Sequence, residues 1–249
     1  MCRHLIILQT IFSVSIILAG CSGRATKGPE PSFKVGYEGA LKNIMHKGDL
    51  SAKADLMDLA QIPHLFGLGA VENLKGEILI LDSRPIISSV IGDSLQISGS
   101  FDHRATLLVH ASVEKWKTHM IPNGLHTYDE LEDHIAEVAE ANGIDIDQPF
   151  PFLLKGTAET LEWHVIDWKE GDTEHSHGKH IRSGLHGSLN NVSVQILGFY
   201  SDGHHAIFTH HTTNMHLHFI SVDGKNTGHV DGLTIAEGMR LKLPDTGTD

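Results

Sequence analysis

The sequence predicts an α/β (α+β) fold with few helices and two runs of strands, closed by a histidine-bearing β-hairpin. Three observations carry that reading. Apolar runs of strand length, punctuated by glycine and aspartate, recur from Phe66 to Ile97 and again from Phe150 onward. One strongly marked helix begins between them at Thr127. Near the C-terminus, polar and apolar residues alternate through Asn214-Met215-His216-Leu217-His218-Phe219-Ile220, followed by Asp223-Gly224 and then Gly228-His229-Val230.

Composition narrows the class further. With 249 residues, 40% hydrophobic and 20% charged, the chain suits one or two globular domains and excludes a coiled coil, collagen or a wholly disordered polymer. Acidic residues outnumber basic ones by 31 to 19, and no Lys/Arg stripe interrupts the excess, so a phosphate backbone would be repelled and nucleic acid is not an expected partner. The 20 histidines are the feature that sets the agenda, because imidazole is the commonest protein ligand for metals.

Residues 1–20 read as an export signal, with Arg3 as the positive start and an apolar stretch from Leu5 to Leu18. That stretch falls short of the ~20 residues a stable membrane span requires. Ala19 and Gly20 directly before Cys21 resemble the bacterial lipobox, so Cys21 is the expected lipidation site. The protein is accordingly expected to be exported and held by lipid to the membrane on the periplasmic or extracellular side of the cell envelope. With Cys2 removed and Cys21 lipidated, no thiol remains for a disulfide, for thiol catalysis or for zinc. Residues 21–34, rich in Gly, Pro, Ser and Lys, read as a tether.

Residues 35–148 are expected to form an N-terminal α/β domain. Tyr37, Leu41, Ile44, Met45, Leu56 and Leu59 fall at helical spacing, broken at Gly48-Asp49, which predicts two short helices over one side of a sheet. Strands follow at Phe66-Gly67-Leu68-Gly69, after the Lys75-Gly76 turn at Ile78 to Leu81, from Ile86 to Ile91 before Gly92-Asp93, and from Ala105 to Ala111. Thr127-Tyr128-Asp129-Glu130 matches the capping box; Leu131, Ile135 and Val138 give the helix its apolar face, and Asn142-Gly143 stops it. Residues 149–249 are expected to be a strand-rich metal-binding domain, with strands at Phe150 to Leu154, Leu161 to Trp168 and Val192 to Tyr200 around a polar segment carrying His175, His177, His180 and His186.

The densest chemical signal is the hairpin. Alternation puts His216 and His218 on one face and Met215, Leu217 and Phe219 on the other. A two-residue type I′ turn at Asp223-Gly224 would pair Val222 with Lys225 and, by the same register, His218 with His229. Three neutral nitrogens with an open position are the donor set of a catalytic metal, whereas a structural zinc site is normally closed by four ligands. A one-residue slip would turn His229 away and leave only solvated polar alternation. His175, His177 and His180 form a second, looser metal candidate, with His204, His205, His210 and His211 in a further loop-like stretch. Glu77, after a glycine turn and before a buried strand, is either a carboxylate with a shifted pKa or a surface hairpin glutamate.

These residues together resemble the bacterial α-acetolactate decarboxylases. The resemblance runs from roughly Ala54 to Pro244 and rests on Phe66-Gly67-Leu68-Gly69 with Gly76-Glu77, on Leu197-Gly198-Phe199, and on His216-x-His218-Phe219-Ile220 with Gly228-His229. It implies a two-domain fold with mixed β-sheets, His216, His218 and His229 as ligands of Zn2+, and Glu77 as the active-site glutamate. The implied reaction converts 2-hydroxy-2-methyl-3-oxobutanoate (2-acetolactate) to acetoin and carbon dioxide. Two departures accompany it. The family's arginine is matched by His164 in Trp163-His164-Val165-Ile166, a proton donor without a guanidinium fork, and the family's C-terminal glutamate has no counterpart before Asp249. Arg182 and Lys155 are the candidate substitute cations. The resulting expectation is a zinc-dependent decarboxylase of acetolactate or a related small 2-hydroxy-3-oxo acid, with Glu77 and His164 catalytic. The alternative is a non-catalytic, lipid-anchored metal- or ligand-binding protein on the same scaffold. The sequence leaves monomer or homodimer open.

Overall fold

Two sheets organise the chain in the computed structural model, whose described residues are 33–125 and 127–247. The export signal, Cys21 and the tether up to residue 32 lie outside them. Among the described residues no helix is long and apolar enough to cross a membrane.

The first sheet contains β1 (Val35–Glu38), β2 (Ala54–Asp55), β3 (Leu65–Val71), β4 (Glu77–Leu81), β5 (Arg84–Ile91), β6 (Ser94–Ser98) and β7 (Arg104–Ser112). Its order is β1-β7-β3-β4-β5-β6, with β2 also on β7. The second contains β8 (Trp116–Met120), β9 (Phe150–Val165), β10 (Leu185–Tyr200), β11 (Met215–Ser221), β12 (Thr227–Ile235) and β13 (Arg240–Pro244). Its order is β10-β11-β12-β9-β13-β8, and a direct β9–β10 ladder closes β9, β10, β11 and β12 into a ring. The helices are α1 (Leu41–Lys47), α2 (Tyr128–Ala141) and α3 (His177–Arg182), so the class is mostly β with some helix.

Side-chain alternation tells how the sheets meet. β4 is buried at all five positions, which explains its unbroken apolar run. Ile78 and Ile80 pack with Leu56, Leu65 and Leu108 on the outer side of the first sheet. Leu79 and Leu81 face the other way, into a core shared with Leu153, Leu197 and Phe199 of the second sheet. Glu77 has the parity of Leu79 and Leu81, so it sits on the face turned toward the second sheet. On β11, Met215, Leu217 and Phe219 join the core formed with α2, which leaves His216 and His218 facing the first sheet.

Helix α2 is the link between that core and the hairpin. Thr127 Oγ1 accepts from the Glu130 amide at 3.2 Å while a Glu130 carboxylate oxygen accepts from the Thr127 amide at 2.9 Å, as the capping box requires. Leu131, Ile135 and Ala139 are buried, and Gly143 at φ +75° ends the helix. Glu132 reaches out to the start of β11, accepting from the Thr213 hydroxyl and from the Asn214 amide at 3.0 Å.

Three sequence expectations need correction. Val35–Glu38 is a strand, not helix, because the open edge of β7 takes it up with Val35 opposite Ala111; helix starts only after Gly39, at φ +83°. The second expected helix is a single tight 3-10 turn, Leu56–Leu59, begun by the Asp55 carboxylate on the Met57 amide at 3.0 Å. The separate strands expected at 150–154 and 161–168 are one 16-residue strand, β9, whose polar middle hid its continuity and which ends at Val165, short of Trp168. The sheet boundary lies between Ser112 and Trp116, so β8 belongs to the second sheet.

One close approach fixes the hairpin against β9. A Cβ on Gly228 would stand 2.4 Å from the His164 carbonyl oxygen and 3.0 Å from Val165 Cγ2. Gly228→Ala should therefore push β12 off β9 and destabilise the protein by about 1–3 kcal/mol, read as a lower denaturant midpoint with an unchanged slope.

Candidate metal centre

The register of the hairpin is the one the alternation predicts: His218 pairs with His229, Phe219 with Gly228 and Ile220 with Thr227. The turn that produces it differs. The last backbone bond runs from the Ser221 amide to the Asn226 carbonyl at 2.8 Å, and of the two central residues only Gly224 has positive φ, +73°. Four residues, Val222 to Lys225, thus lie beyond that pair instead of two forming a type I′ turn. An even change in loop length keeps the register, so His229 still faces His218.

Three imidazoles converge as a result. Among the described residues, His216, His218 and His229 are the only three His, Cys, Asp or Glu side chains gathered so closely, with one nitrogen of each within 4.8 Å of the others. His216 and His218 present Nε2 to each other at 3.2 Å, and His229 presents Nδ1 to His218 Nε2 at 3.4 Å. Burial pushes His216 down to about 4, and His218 and His229 well below the usual imidazole value. The rings are therefore neutral lone-pair donors at pH 7. A tetrahedral ion with nitrogens at ~2.0–2.1 Å sets those atoms about 3.3–3.4 Å apart, close to the 3.2 and 3.4 Å observed. The donor set fits a divalent transition metal.

Glu77 and His164 lie at this cluster. One Glu77 oxygen is 3.7 Å from His218 Nε2 and the other is 3.7 Å from His164 Nε2. The Ile166 amide donates to Glu77 at 3.2 Å, tying the glutamate of the first sheet to the end of β9. Of the two readings of Glu77 the buried one holds: it is 5% exposed. Burial pushes its carboxyl up to about 7 against the pull of the His164 charge and the Ile166 amide, with Asp231 adding to the rise. For His164 burial acts downward, but the Asp231 hydrogen bond and the charges of Glu77 and Asp231 outweigh it and hold the ring above its ordinary value.

Asp231 is the residue that sequence reasoning missed. His164 Nδ1–H donates to both its oxygens, at 2.9 and 2.8 Å, which leaves Nε2 free to face Glu77. The reason is a β-bulge: Val230 pairs with Trp163 and Gly232 with Glu162, so Asp231 is the extra residue between them. In a regular ladder it would oppose Glu162. Its i, i+2 spacing from His229 was the available signal, since alternation sets both on one face.

The remaining candidates fall outside the cluster. Lys155 is nine residues from His164 along β9, roughly 30 Å at strand rise. Arg182 is exposed and lines a surface recess with Trp168 and Lys179. His175, His177 and His180 do not converge: His175 Nδ1 and His180 Nε2 share a hydrogen bond at 2.9 Å, while His177 turns to His210, ring centroids 4.6 Å apart.

A sequence profile of the family described as alpha-acetolactate decarboxylase matches residues 37–246. The chain belongs to the alpha-acetolactate decarboxylase family. The family and its fold support a decarboxylase-like function with a small-molecule substrate. Solved structures agree on the fold. The alpha-acetolactate decarboxylase of Bacillus subtilis strain 168 superposes with TM-score 0.68 at 15% identity, covering 84% of each chain. That of Bacillus subtilis subspecies spizizenii gives 0.68 at 15%, covering 84% of this chain and 85% of its own. A Staphylococcus aureus protein described as of unknown function and similar to the enzyme gives 0.64 at 14%, covering 84% of each. No curated protein matches by sequence.

The buried neutral rings make the metal-free protein acid-sensitive. His216 titrates near 4 in the folded chain and near 6.5 when unfolded, so the unfolded state takes up protons first as pH falls. The same sign holds for His218 and His229, while Glu77 and His164, both raised, act oppositely. His180 and His210, also lowered to about 4 by burial, add to the loss. The thermal midpoint of chelator-stripped protein should therefore drop between about pH 6.5 and 4. A flat midpoint across that interval would show that these rings are not held neutral.

Proposed function

We propose that the protein is a zinc-dependent carbon–carbon lyase that releases carbon dioxide from 2-acetolactate or a closely related 2-hydroxy-3-oxo acid. The observation that carries the reading is the convergence of three imidazoles, those of buried His216 and His218 and of half-buried His229, beside Glu77 and the Asp231-oriented His164. His216, His218 and His229 would hold the ion. Zinc, when bound, supplies Lewis acidity toward the hydroxyl and ketone oxygens of the substrate.

The other steps belong to the side chains. Glu77, with its carboxyl near 7, sits where it can accept a hydrogen bond from the substrate hydroxyl or return a proton at neutral pH. His164 carries a proton on Nε2 while Asp231 holds Nδ1, so the ring orientation and the tautomer are set before substrate arrives. The bond between C2 and the carboxylate carbon breaks, its electron pair stays on the hydroxy-keto fragment, carbon dioxide leaves, and one proton from His164 is taken up on carbon to give acetoin. Burial of Glu77 and His164 keeps bulk water from competing for that proton.

Acetoin release from racemic acetolactate, with zinc content of the same sample by elemental analysis, tests this reading. His218→Ala should lose both zinc and turnover; zinc retained in that variant would defeat the ligand assignment. Glu77→Gln should keep zinc and lose activity by about 10²-fold or more, and full activity in it would remove Glu77 from the chemistry. Wild-type protein that holds zinc without turnover would favour the non-catalytic metal-binding reading.

The N-terminal segment supports a second part of the proposal, export with a lipid on Cys21. Cys21→Ala should move the protein from the membrane to the soluble fraction of cells, and unchanged membrane association would rule the anchor out.

A further inference from the structure

β6 ends the first sheet: it pairs with β5 on one side and, among the described residues, with no strand on the other. Ile91 and Ser94 close the hairpin around Gly92-Asp93, and of the two central residues only Gly92 has positive φ, +61°, the type II′ pattern. A two-residue turn closes on a hydrogen-bonded pair, so Ser94, Gln96 and Ser98 direct their backbone groups at β5. The amides and carbonyls of Leu95 and Ile97 therefore point to the open side, where no described backbone group takes them up.

The other sheet margins are guarded by charge. β1 follows Lys34 and ends on Glu38, and β8 carries Lys117 just after Glu114-Lys115. β6, Ser94-Leu95-Gln96-Ile97-Ser98, has no charge, no proline and no bulge, and the next charge comes only at Asp102. Ile97 is 41% exposed on the face that carries Glu77, because Ile97 opposes Ser88 and Ser88 opposes Glu77. Leu95, opposite Val90, shares that face. The strand also reads alike in both directions: turned end over end about Gln96, it sets Leu95 on an isoleucine and Ser94 on a serine.

We propose that β6 pairs antiparallel with β6 of a second copy about a two-fold axis at Gln96, joining the first sheets of two chains in a homodimer. Leu95 and Ile97 of the partner subunit then exchange both backbone bonds, and the symmetry repeats the exchange. Gln96 meets Gln96 of the partner subunit, and each side-chain amide can donate and accept. On the face of Glu77, Val90, Leu95 and Ile97 of one copy meet the same three of the other and leave water. Charge favours a second copy at this place. With 31 acidic residues against 19 basic, two copies repel as wholes, and the uncharged stretch 94–101 is where they can approach. In this register Asp93 opposes Gly99 of the partner subunit, which keeps the two Asp93 carboxylates about 20 Å apart, beyond the ~8 Å screening length of physiological salt. The row Glu77, Ser88, Ile97 continues into Leu95 of the partner subunit, about 14 Å from Glu77 at ladder spacing. The pairing needs neither metal nor turnover, so it stands apart from the decarboxylase reading.

A full-length chain with Cys2→Ser and Cys21→Ser has no thiol and no lipidation site, and cysteines placed in it report the register. Gln96→Cys should give a disulfide-linked dimer on mild oxidation, since a non-bonded antiparallel pair holds its Cα atoms about 4.5 Å apart, within disulfide reach. Ser94→Cys alone should not link, whereas Ser94→Cys with Ser98→Cys should. Sedimentation equilibrium of the parent chain should show a dimer. Ile97→Lys should raise its dissociation constant at least about tenfold and keep the circular dichroism of the folded chain. A parent chain that stays monomeric at its highest soluble concentration would overturn the proposal. So would linkage through Ser94→Cys as readily as through Gln96→Cys, a dimer indifferent to Ile97→Lys, or a Gln96→Cys chain that in cells links to a different polypeptide and not to itself.

Discussion

Everything at the candidate centre depends on one register, the alignment of β12 that sets His229 opposite His218 on one side and opposite His164 on the other. A β-ladder fixes side chains in steps of two, so the same backbone bonds that join β11, β12 and β9 decide whether these imidazoles share a face. Gly228 lets β12 approach the His164 carbonyl closely enough for the second ladder to form. Small errors cannot be absorbed here, because a slip by one residue would exchange the whole polar set for the apolar set of the α2 core.

The register also explains how the protein tolerates so much buried polarity. His216, His218, Glu77 and His164 are all buried, and each would be costly to bury alone. Gathered on facing sheets, they satisfy one another in part: Asp231 takes the His164 proton donor, and Ile166 donates to Glu77. The triad itself is not self-sufficient, since three neutral rings directing nitrogens at one point are acceptors facing acceptors. Their arrangement becomes favourable when a cation occupies the point, which is why the geometry and the depressed basicity together point to a metal.

Much of this was legible in the sequence because it is periodic. His-x-His alternation gave the face, the Asp223-Gly224 turn gave the register, and an even-numbered error in loop length did no harm. Glu77 was legible as a carboxylate before an apolar run, although its orientation toward the second sheet follows only from the packing of Leu79 and Leu81. What stayed hidden was aperiodic or long-range. The bulge at Asp231 breaks the alternation it is part of, the edge of β7 recruits Val35–Glu38 against a helical pattern, and the pairing of His177 with His210 joins segments that no local spacing connects.

The His164–Asp231 pair changes the electrostatic character of the centre relative to the arginine that the family resemblance implies at this position. A guanidinium is a permanent cation that grips a carboxylate through two parallel bonds and cannot give up a proton. An imidazole held by a carboxylate is close to neutral as a pair and can release a proton from its free nitrogen. In the proposed reaction the exchange would surrender grip on the substrate carboxylate and gain the capacity to deliver a proton. For a reaction in which the carboxylate departs as neutral carbon dioxide, tight binding of that group stabilises the ground state more than the transition state. The loss of the fork therefore need not slow the chemistry once substrate is bound; its cost falls on capture. With Arg182 exposed at a separate recess and Lys155 far along β9, capture in the proposed reaction would rest on the metal charge and on His164 among the described residues matched to these roles.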